Sequence, residues 1–175
     1  MSRKVLAFAA SNSSVSINRQ LVEYAASLID DAEVETLDIH DYEMPIYRHD
    51  REEAGGIPQL AHQFLARVGE ADMLLISFAE HNGLYSAAFK NLFDWCSRIG
   101  RNVWQNKPMV LLATSHGPGG AARVLKLAEE AFPIFGGEVR GTLSVPLFGE
   151  AFDSDAGVLR NPEQVAELKA LLAKL

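Results

Sequence analysis

Runs of apolar residues alternate with amphipathic segments along the whole chain. Short apolar runs predict buried strands, and apolar residues spaced by three or four positions predict helices that cover a sheet. Strands are expected at residues 4–9, 34–39, 73–78, 108–113 and 138–145. Helices are expected at residues 16–29, 57–68, 84–99 and 121–132, and from 161 onward. This alternation predicts a parallel β-sheet with helices on both faces.

The composition is typical of one globular domain, which we expect to span residues 1–175. The chain has 175 residues, of which 48% are hydrophobic, and a formal net charge of −7. Nucleic-acid binding depends mainly on clustered lysine and arginine, so an acidic chain disfavours such a partner. The sequence has no run of about 20 apolar residues, the length needed to cross a bilayer. We therefore expect neither nucleic acid nor a membrane as a partner.

The single cysteine and the N-terminal apolar run both bear on the cellular compartment. Cys96 cannot form an internal disulfide, which favours a reducing compartment. The apolar run at residues 5–10 is shorter than the apolar region of a signal peptide, so a first buried strand is the preferred interpretation. The sequence thus predicts a cytoplasmic protein. Cys96 falls on the apolar face of the third helix, which favours packing over nucleophilic chemistry.

A polar loop follows the first strand, where a ligand is expected. In an open parallel sheet, ligands bind beyond the carboxyl ends of the strands, where the strand order reverses. The candidate residues of this loop are Ser11, Ser13, Ser16, Ile17 and Asn18. Hydroxyl donors beside a helix N-terminus suit a phosphate, although Ser16 could simply cap the helix while the other serines face solvent. The loop has no glycine, which argues against a dinucleotide fingerprint or a P-loop.

A second loop follows the third strand and contains five candidate residues. They are Ala79, Glu80, His81, Asn82 and Gly83. Asn82 and Gly83 tolerate tight-turn dihedrals, and the backbone amides of the loop suit the polar edge of a flat heterocycle. An ordinary connection between a strand and a helix is the alternative.

A third loop, rich in glycine, follows the fourth strand. Its candidate residues are Ser115, His116, Gly117, Gly119 and Gly120. Missing side chains leave room for a planar ring, and amide donors there would suit negative charge that develops on such a ring. A flexible loop without a ligand is the alternative.

The three loops together resemble the motifs of the NADPH-dependent FMN reductases, a family with related quinone, azo-dye and chromate reductases. The family's first loop, approximately G-S-x-R-x-x-S-x-N-x-x-L, is matched by Ser11, Ser16, Asn18 and Leu21. Its second motif, P-E-Y-N-G-S followed by L-K-N-x-x-D-W, is matched by Glu80, Asn82, Gly83, Lys90, Asn91, Asp94 and Trp95. Its third, T-S-x-G-x-x-G-G-A, is matched by Thr114, Ser115, Gly117, Gly119, Gly120 and Ala121.

The resemblance implies both a fold and a function. The fold would be a flavodoxin-like three-layer α/β/α sandwich with a five-stranded parallel sheet in the order 2-1-3-4-5. The cofactor would be FMN, with NADPH or NADH as hydride donor and a small molecule as electron acceptor. Ser11, Ser16 and Asn18 would hold the FMN phosphate, and the two later loops would contact the ring. No residue is assigned as a general acid or base.

A homodimer or homotetramer is expected from the resemblance and from the aromatic side chains of the third helix. Phe89, Phe93 and Trp95 give that helix more aromatic area than one sheet face readily covers. Packing of these side chains within the core of one chain is the alternative.

Four positions depart from the family pattern. Ala10 and Ser13 replace a glycine and an arginine of the first loop, so a direct cation contact to the phosphate is missing, with Arg19 as a nearby substitute. Ala79 and His81 replace a proline and a tyrosine of the second loop. That tyrosine lies beside the flavin in the family, and His81 would take its place.

Other functions fit the sequence less well. Residues 113–117 approximate the G-x-S-x-G elbow of hydrolases. In that fold an acidic residue and then the histidine follow the serine along the chain, but the last histidine here is His116 itself, so the triad cannot be completed in that order. The five histidines lack the spacing of a metal site. An electron carrier without enzymatic activity, or a flavin-binding sensor, stays open because reduction by a nicotinamide is not encoded in a local motif.

Overall fold

A computed structural model describes residues 2–175 of the chain. In chain order the strands are β1 (Arg3–Ala10), β2 (Ala32–Asp38), β3 (Met73–Phe78), β4 (Glu80–His81), β5 (Leu84–Tyr85), β6 (Lys107–Thr114), β7 (Gly137–Val145), β8 (Phe152–Asp153) and β9 (Val158–Leu159). The helices are α1 (Ile17–Ser27), α2 (His49–Gly55), α3 (Gln59–Glu70), α4 (Ala87–Ile99), α5 (Ala122–Ala131), α6 (Phe148–Ala151) and α7 (Pro162–Leu172).

Five of the strands form one parallel sheet in the order β2-β1-β3-β6-β7. Counted among these five strands alone, this is the order 2-1-3-4-5, so the predicted flavodoxin-like sheet is confirmed. The strand order reverses between β1 and β3, which places the expected ligand position at the carboxyl ends of these two strands. The remaining strands form two short antiparallel hairpins, β4–β5 and β8–β9.

Successive residues of the central strands face opposite sides of the sheet, as the pleat requires. Leu6 and Phe8 of β1 pack in the layer that includes side chains of α3, α4 and α5. Val5 and Ala7 pack in the opposite layer with α1 and α7. The sheet is thus covered on both sides, which explains why its central strands are continuously apolar.

Three segments differ from the sequence-based expectation. Residues 49–55, for which no helix is predicted, form α2. The third helix was expected to begin at Leu84, but residues 80–85 form the hairpin β4–β5 and α4 begins at Ala87, with Ser86 as its cap. Local periodicity cannot separate a two-residue strand from the first turn of a helix. Residues 146–160, which fall between the last predicted strand and the last predicted helix, contain α6 and the hairpin β8–β9.

The aromatic side chains of α4 are covered by the chain itself. Phe89, Phe93 and Trp95 are all buried, and Phe93 stacks on Trp104 with ring centroids 5.7 Å apart. Trp104 in turn stacks on Phe132 at 4.5 Å. The core-packing alternative is therefore correct for these three side chains, and they supply no argument for an oligomer. Within residues 2–175, no helix has both the length and the apolar composition needed to cross a membrane.

Candidate functional site

An open cleft of about 340 Å³ lies at the carboxyl ends of β1, β3 and β6. It is lined by Ser11, Ser13, Val15, Ser16, Ile17, Asn18, Ala79, Glu80, His81, Thr114, Ser115 and His116. Ten of the fifteen candidate residues are in this set. Asn82, Gly83, Gly117, Gly119 and Gly120 belong to the same loops but do not line the cleft. The three loops identified in the sequence therefore meet at one place.

The loop after β1 presents hydrogen-bond donors to the cleft. Ser16 caps α1, since its hydroxyl accepts from Arg19 N at 3.2 Å, as the capping alternative proposed. The hydroxyls of Ser11 and Ser13 also accept backbone N–H groups, at 3.3 and 3.4 Å. Within residues 2–175 none of these three hydroxyls donates a hydrogen bond, so each proton is free for a ligand. The N–H groups of the first turn of α1 also lack acceptors within the helix.

Asn18 is a deeply buried polar side chain of the cleft, with 3% of its surface exposed. Its Oδ1 accepts from Thr114 N at 3.0 Å and from the Ser77 hydroxyl at 2.8 Å. Its Nδ2 donates to Thr114 O at 3.2 Å. The amide therefore joins α1 to the ends of β3 and β6, and it leaves one N–H of Nδ2 for a ligand.

Arg19 does not replace the missing arginine of the first loop. Its Nε lies 2.9 Å from a Glu23 carboxylate oxygen, and its Nη1 lies 2.7 Å from Asp38. Asp38 is the last residue of β2 and Glu23 lies one turn further along α1, so the guanidinium is paired with two carboxylates outside the cleft lining. Within residues 2–175 no lysine or arginine lines the cleft, whose lining includes the imidazoles of His81 and His116.

The loop after β3 is a hairpin rather than a simple connection. Asn82 and Gly83 form its turn with φ values of 54° and 81°, which matches the Asn-Gly preference of tight hairpins. Tyr85 anchors the second strand by packing on Phe78 and Phe89, and burial raises the pKa of its phenol to about 12. Ser86 follows and donates its hydroxyl to Ala10 O at 2.9 Å, which fixes the hairpin to the end of β1.

The loop after β6 is held by the segment that follows β7. Phe148 N donates to Ser115 O at 3.0 Å, and Leu147 N donates to Gly117 O at 3.1 Å. Gly120 has a φ of 56°, and a side chain there would lie 2.9 Å from Pro146 N. The glycine is therefore required by packing. At Gly119 a side chain would meet open space, so packing within the chain does not require glycine at this position.

The donor set at the cleft fits a phosphate monoester. Free hydroxyl protons of Ser11, Ser13 and Ser16, together with the N–H groups of Ile17 and Asn18, surround the start of α1. Such groups stabilise a dianion at a helix N-terminus. The hairpin and the loop at 115–120 form the other walls, where backbone groups can meet a planar ring. FMN combines these two parts, a phosphate and a flat heterocycle, so the residues present fit it.

Two residues that line the cleft, Val15 and Thr114, are not among the fifteen candidates, although Thr114 matches the third motif. Thr114 is buried at the end of β6, where its hydroxyl donates to Val145 O at 2.6 Å. Val15 is 82% exposed at the tip of the first loop. The position of Thr114 at the end of a predicted strand was a usable signal. An exposed valine in a polar loop gives no comparable signal.

Two residues of the L-K-N-x-x-D-W motif have a structural role. Asn91 of α4 accepts from Tyr47 N at 2.8 Å and donates to Met44 O at 2.9 Å. Trp95 Nε1 donates to Pro45 O at 2.8 Å. Both side chains therefore hold the segment at residues 44–47 against α4, beside the first loop.

The sheet order and the three converging loops define a flavodoxin-like α/β protein with a site at the strand-order reversal. The chain belongs to the NADPH-dependent FMN reductase family, whose model matches residues 3–150.

Two sequence relatives agree with this assignment. The chain is 32% identical over 102 residues to an NADPH:quinone oxidoreductase of Arabidopsis thaliana, a match covering 58% of this chain and 50% of the relative. It is 36% identical over 109 residues to a 2-hydroxy-1,4-benzoquinone reductase of Burkholderia sp, covering 61% of this chain and 57% of the relative. The chain thus spans about half the length of these curated relatives.

The flavoenzyme NAD(P)H:(acceptor) oxidoreductase FerB from Paracoccus denitrificans has a similar structure, with a TM-score of 0.72. The match covers 98% of this chain and 93% of FerB at 24% identity, so it supports the fold alone.

Proposed function

We propose that the chain is an FMN-dependent NAD(P)H oxidoreductase that passes reducing equivalents from NADPH or NADH to a small acceptor. Membership of the FMN reductase family supports the cofactor and the class of reaction. In this proposal residues 1–175 act as one FMN-binding domain, and all fifteen candidate residues belong to its flavin site.

One observation carries the proposal: three serine hydroxyls with free protons surround the start of α1 in the cleft. Ser11, Ser13 and Ser16 would donate to the phosphate, and the first N–H groups of α1 would add the field of the helix. Asn18 would orient these groups through its bonds to Thr114 and add its remaining N–H. The chain thereby offers neutral donors where the family pattern has an arginine.

Bound FMN supplies the redox chemistry, because flavins accept a hydride and pass electrons to a second substrate. The protein's part is placement. The hairpin at 80–85 and the loop at 115–120 would flank the ring with backbone groups, while His81 and His116 would present imidazoles at its border. No side chain is assigned to proton transfer.

A quinone is the acceptor class that we propose, with free flavin as a further acceptor. Both curated relatives described above are named as quinone reductases. The cleft is open, which would let the nicotinamide and then a planar acceptor occupy the same face of the bound flavin ring.

A homodimer or homotetramer in the cytoplasm completes the proposal. Its support is the family resemblance and two exposed apolar side chains, Ile46 and Leu84, which are 78% and 59% exposed. A monomeric mass by light scattering would remove the oligomer without affecting the redox function.

The test of FMN binding uses purified protein incubated with FMN and then desalted. Flavin absorbance should remain with the protein, and anaerobic NADPH or NADH should bleach it. If no flavin is retained, the proposal fails. If flavin is retained but neither nucleotide bleaches it, an electron carrier or sensor replaces the enzyme.

Two neighbouring serines provide a matched pair for the phosphate contact. Ser13 lines the cleft and Ser14 does not, although both are exposed. Ser13→Ala should weaken FMN binding by about tenfold, since a hydrogen bond to a charged group is lost. Ser14→Ala should bind like the unmodified protein. Riboflavin, which lacks the phosphate, should bind equally to all three proteins in fluorescence titrations; equal FMN affinity for both variants would contradict the assigned role of Ser13.

A further inference from the structure

The side chain of Glu80 reaches from the hairpin to a helix distant in sequence. Its Oε2 accepts a hydrogen bond from Val124 N at 3.0 Å, in the first turn of α5. Glu80 also lines the cleft. One carboxylate thus touches both the proposed flavin site and the start of α5.

The helix α5 has no cap of its own. Its preceding residue, Ala121, has a left-handed backbone and no capping side chain, and the first turn contains no acidic residue. In contrast, α1, α4 and α7 begin with the capping side chains of Ser16, Ser86 and Asn161. The first N–H groups of a helix need hydrogen-bond acceptors, and a helix N-terminus favours negative charge. The Glu80 carboxylate supplies both an acceptor and a negative charge at the start of α5.

The position of α5 determines where the third loop ends. Ala122 N donates to Gly119 O at 3.0 Å, so the glycine-rich loop runs directly into the first turn of the helix. The Glu80 bond therefore connects two walls of the cleft, the hairpin at 80–85 and the loop at 115–120. Nearby, the Arg123 side chain lies against the turn, with its Cδ 3.7 Å from the point where Gly83 would carry a side chain.

We propose that Glu80 is a positioning residue that caps α5 and thereby fixes the spacing of the two loops that flank the flavin ring. The loop spacing around the flavin rests on the proposed function, whereas the capping of α5 rests on the structure alone. Its carboxylate acts through the helix and the loop, and it takes no part in the redox chemistry.

The experiment compares three variants, namely Glu80→Ala, Glu80→Gln and Glu129→Gln. Glutamine keeps an oxygen that can accept from Val124 N, whereas alanine does not. Glu129 is exposed on α5 and has no ion pair within residues 2–175, so its variant controls for the loss of one negative charge. Hydrogen exchange of the Val124 amide in flavin-free protein reports the cap. The affinities for FMN and for riboflavin, measured by titration, report whether the two loops keep the spacing that the flavin ring needs.

Glu80→Ala should increase exchange at Val124 and weaken FMN and riboflavin binding alike, by about tenfold. Glu80→Gln should restore affinity to within about threefold, and Glu129→Gln should behave as the unmodified protein. Equal weakening by Glu80→Gln and Glu80→Ala would overturn the hydrogen-bond role. Unchanged flavin affinity in Glu80→Ala would overturn the positioning role.

The two proposals fail separately. If the unmodified protein binds no flavin, the proposed function fails. The exchange rate at Val124 still decides the cap, because it is measured without flavin: faster exchange in Glu80→Ala supports the cap, and an unchanged rate contradicts it.

Discussion

Asn18 shows how a residue at a proposed ligand site can have its main contacts within the protein. The motif predicts that its amide holds a phosphate, and in the structure the same amide bonds to Thr114 N, Thr114 O and the Ser77 hydroxyl. These bonds join α1 to two strands at the edge of the cleft. The position of the first loop therefore depends on Asn18, whether or not its remaining N–H reaches the ligand.

Asn18→Ala should lower the free energy of unfolding by about 2–4 kcal/mol, because the buried Thr114 N–H and O lose their partner. Urea unfolding of flavin-free protein measures the change. Asn12→Ala is the control, since Asn12 lies in the same loop but its side chain makes an exposed bond to Glu43. Equal stability of the two variants would contradict the bridging role of Asn18.

At the scale of the element, the hairpin β4–β5 lies between β3 and α4 and forms one wall of the cleft. Its turn needs positive φ at both central positions, which Asn82 and Gly83 provide. Tyr85 and Ser86 then fasten its second strand to the core and to the end of β1. Glu80 fastens the first strand to α5.

Gly83→Ala should destabilise the protein by about 1–2 kcal/mol, because an L-residue with a Cβ is strained in the left-handed region. The φ of 81° is the cause, since the nearest atom to an added Cβ is at an ordinary distance of 3.7 Å. Gly55→Ala in α2 serves as the control, as that glycine has no positive φ and no neighbour within 4 Å. A midpoint of denaturation for Gly83→Ala equal to that of the control would show that the turn does not need glycine.

At the scale of the whole molecule, the two layers around the sheet bury titratable groups as well as apolar ones. Desolvation raises the pKa of Cys96 to about 12 from 9.0, and that of Tyr85 to about 12 from 10.0. At a pH above the ordinary pKa of each group and below its raised value, the group stays protonated in the folded chain but is ionised in the unfolded chain. These two groups should therefore leave stability unaffected at neutral pH and reduce it as the pH rises above about 9.

Cys96 should be inert toward iodoacetamide in the native protein at pH 8, because it is fully buried and roughly one thiol in ten thousand is ionised. Mass spectrometry after a timed pulse measures the alkylation. A sample unfolded in urea should be alkylated within minutes, which makes the thiol a reporter of global unfolding. Rapid alkylation without denaturant would indicate a local opening between α3 and α4, where Cys96 Sγ contacts Ala61 O at 3.8 Å.

Much of the fold and the location of the site could be predicted from the sequence. Alternating apolar and amphipathic segments determined the parallel sheet, since strand and helix periods are local properties of the chain. Polar loops after the first, third and fourth strands identified the cleft, because the carboxyl ends of parallel strands share one edge of the sheet. The caps at Ser16 and Asn161 are equally local, as each acceptor lies within three residues of its donor.

The tertiary structure decided which side chains act on which loop. Asn18 meets Thr114, Glu80 meets Val124, and Arg19 turns toward Asp38. Tertiary packing also buries the aromatic side chains of α4 in the core of the chain. The partners of these side chains lie far along the chain, and their distances depend on how helices pack on the sheet rather than on spacing in the sequence. Sequence therefore determined where the polar loop after β1 lies, and tertiary packing determined how that loop and its neighbours are held.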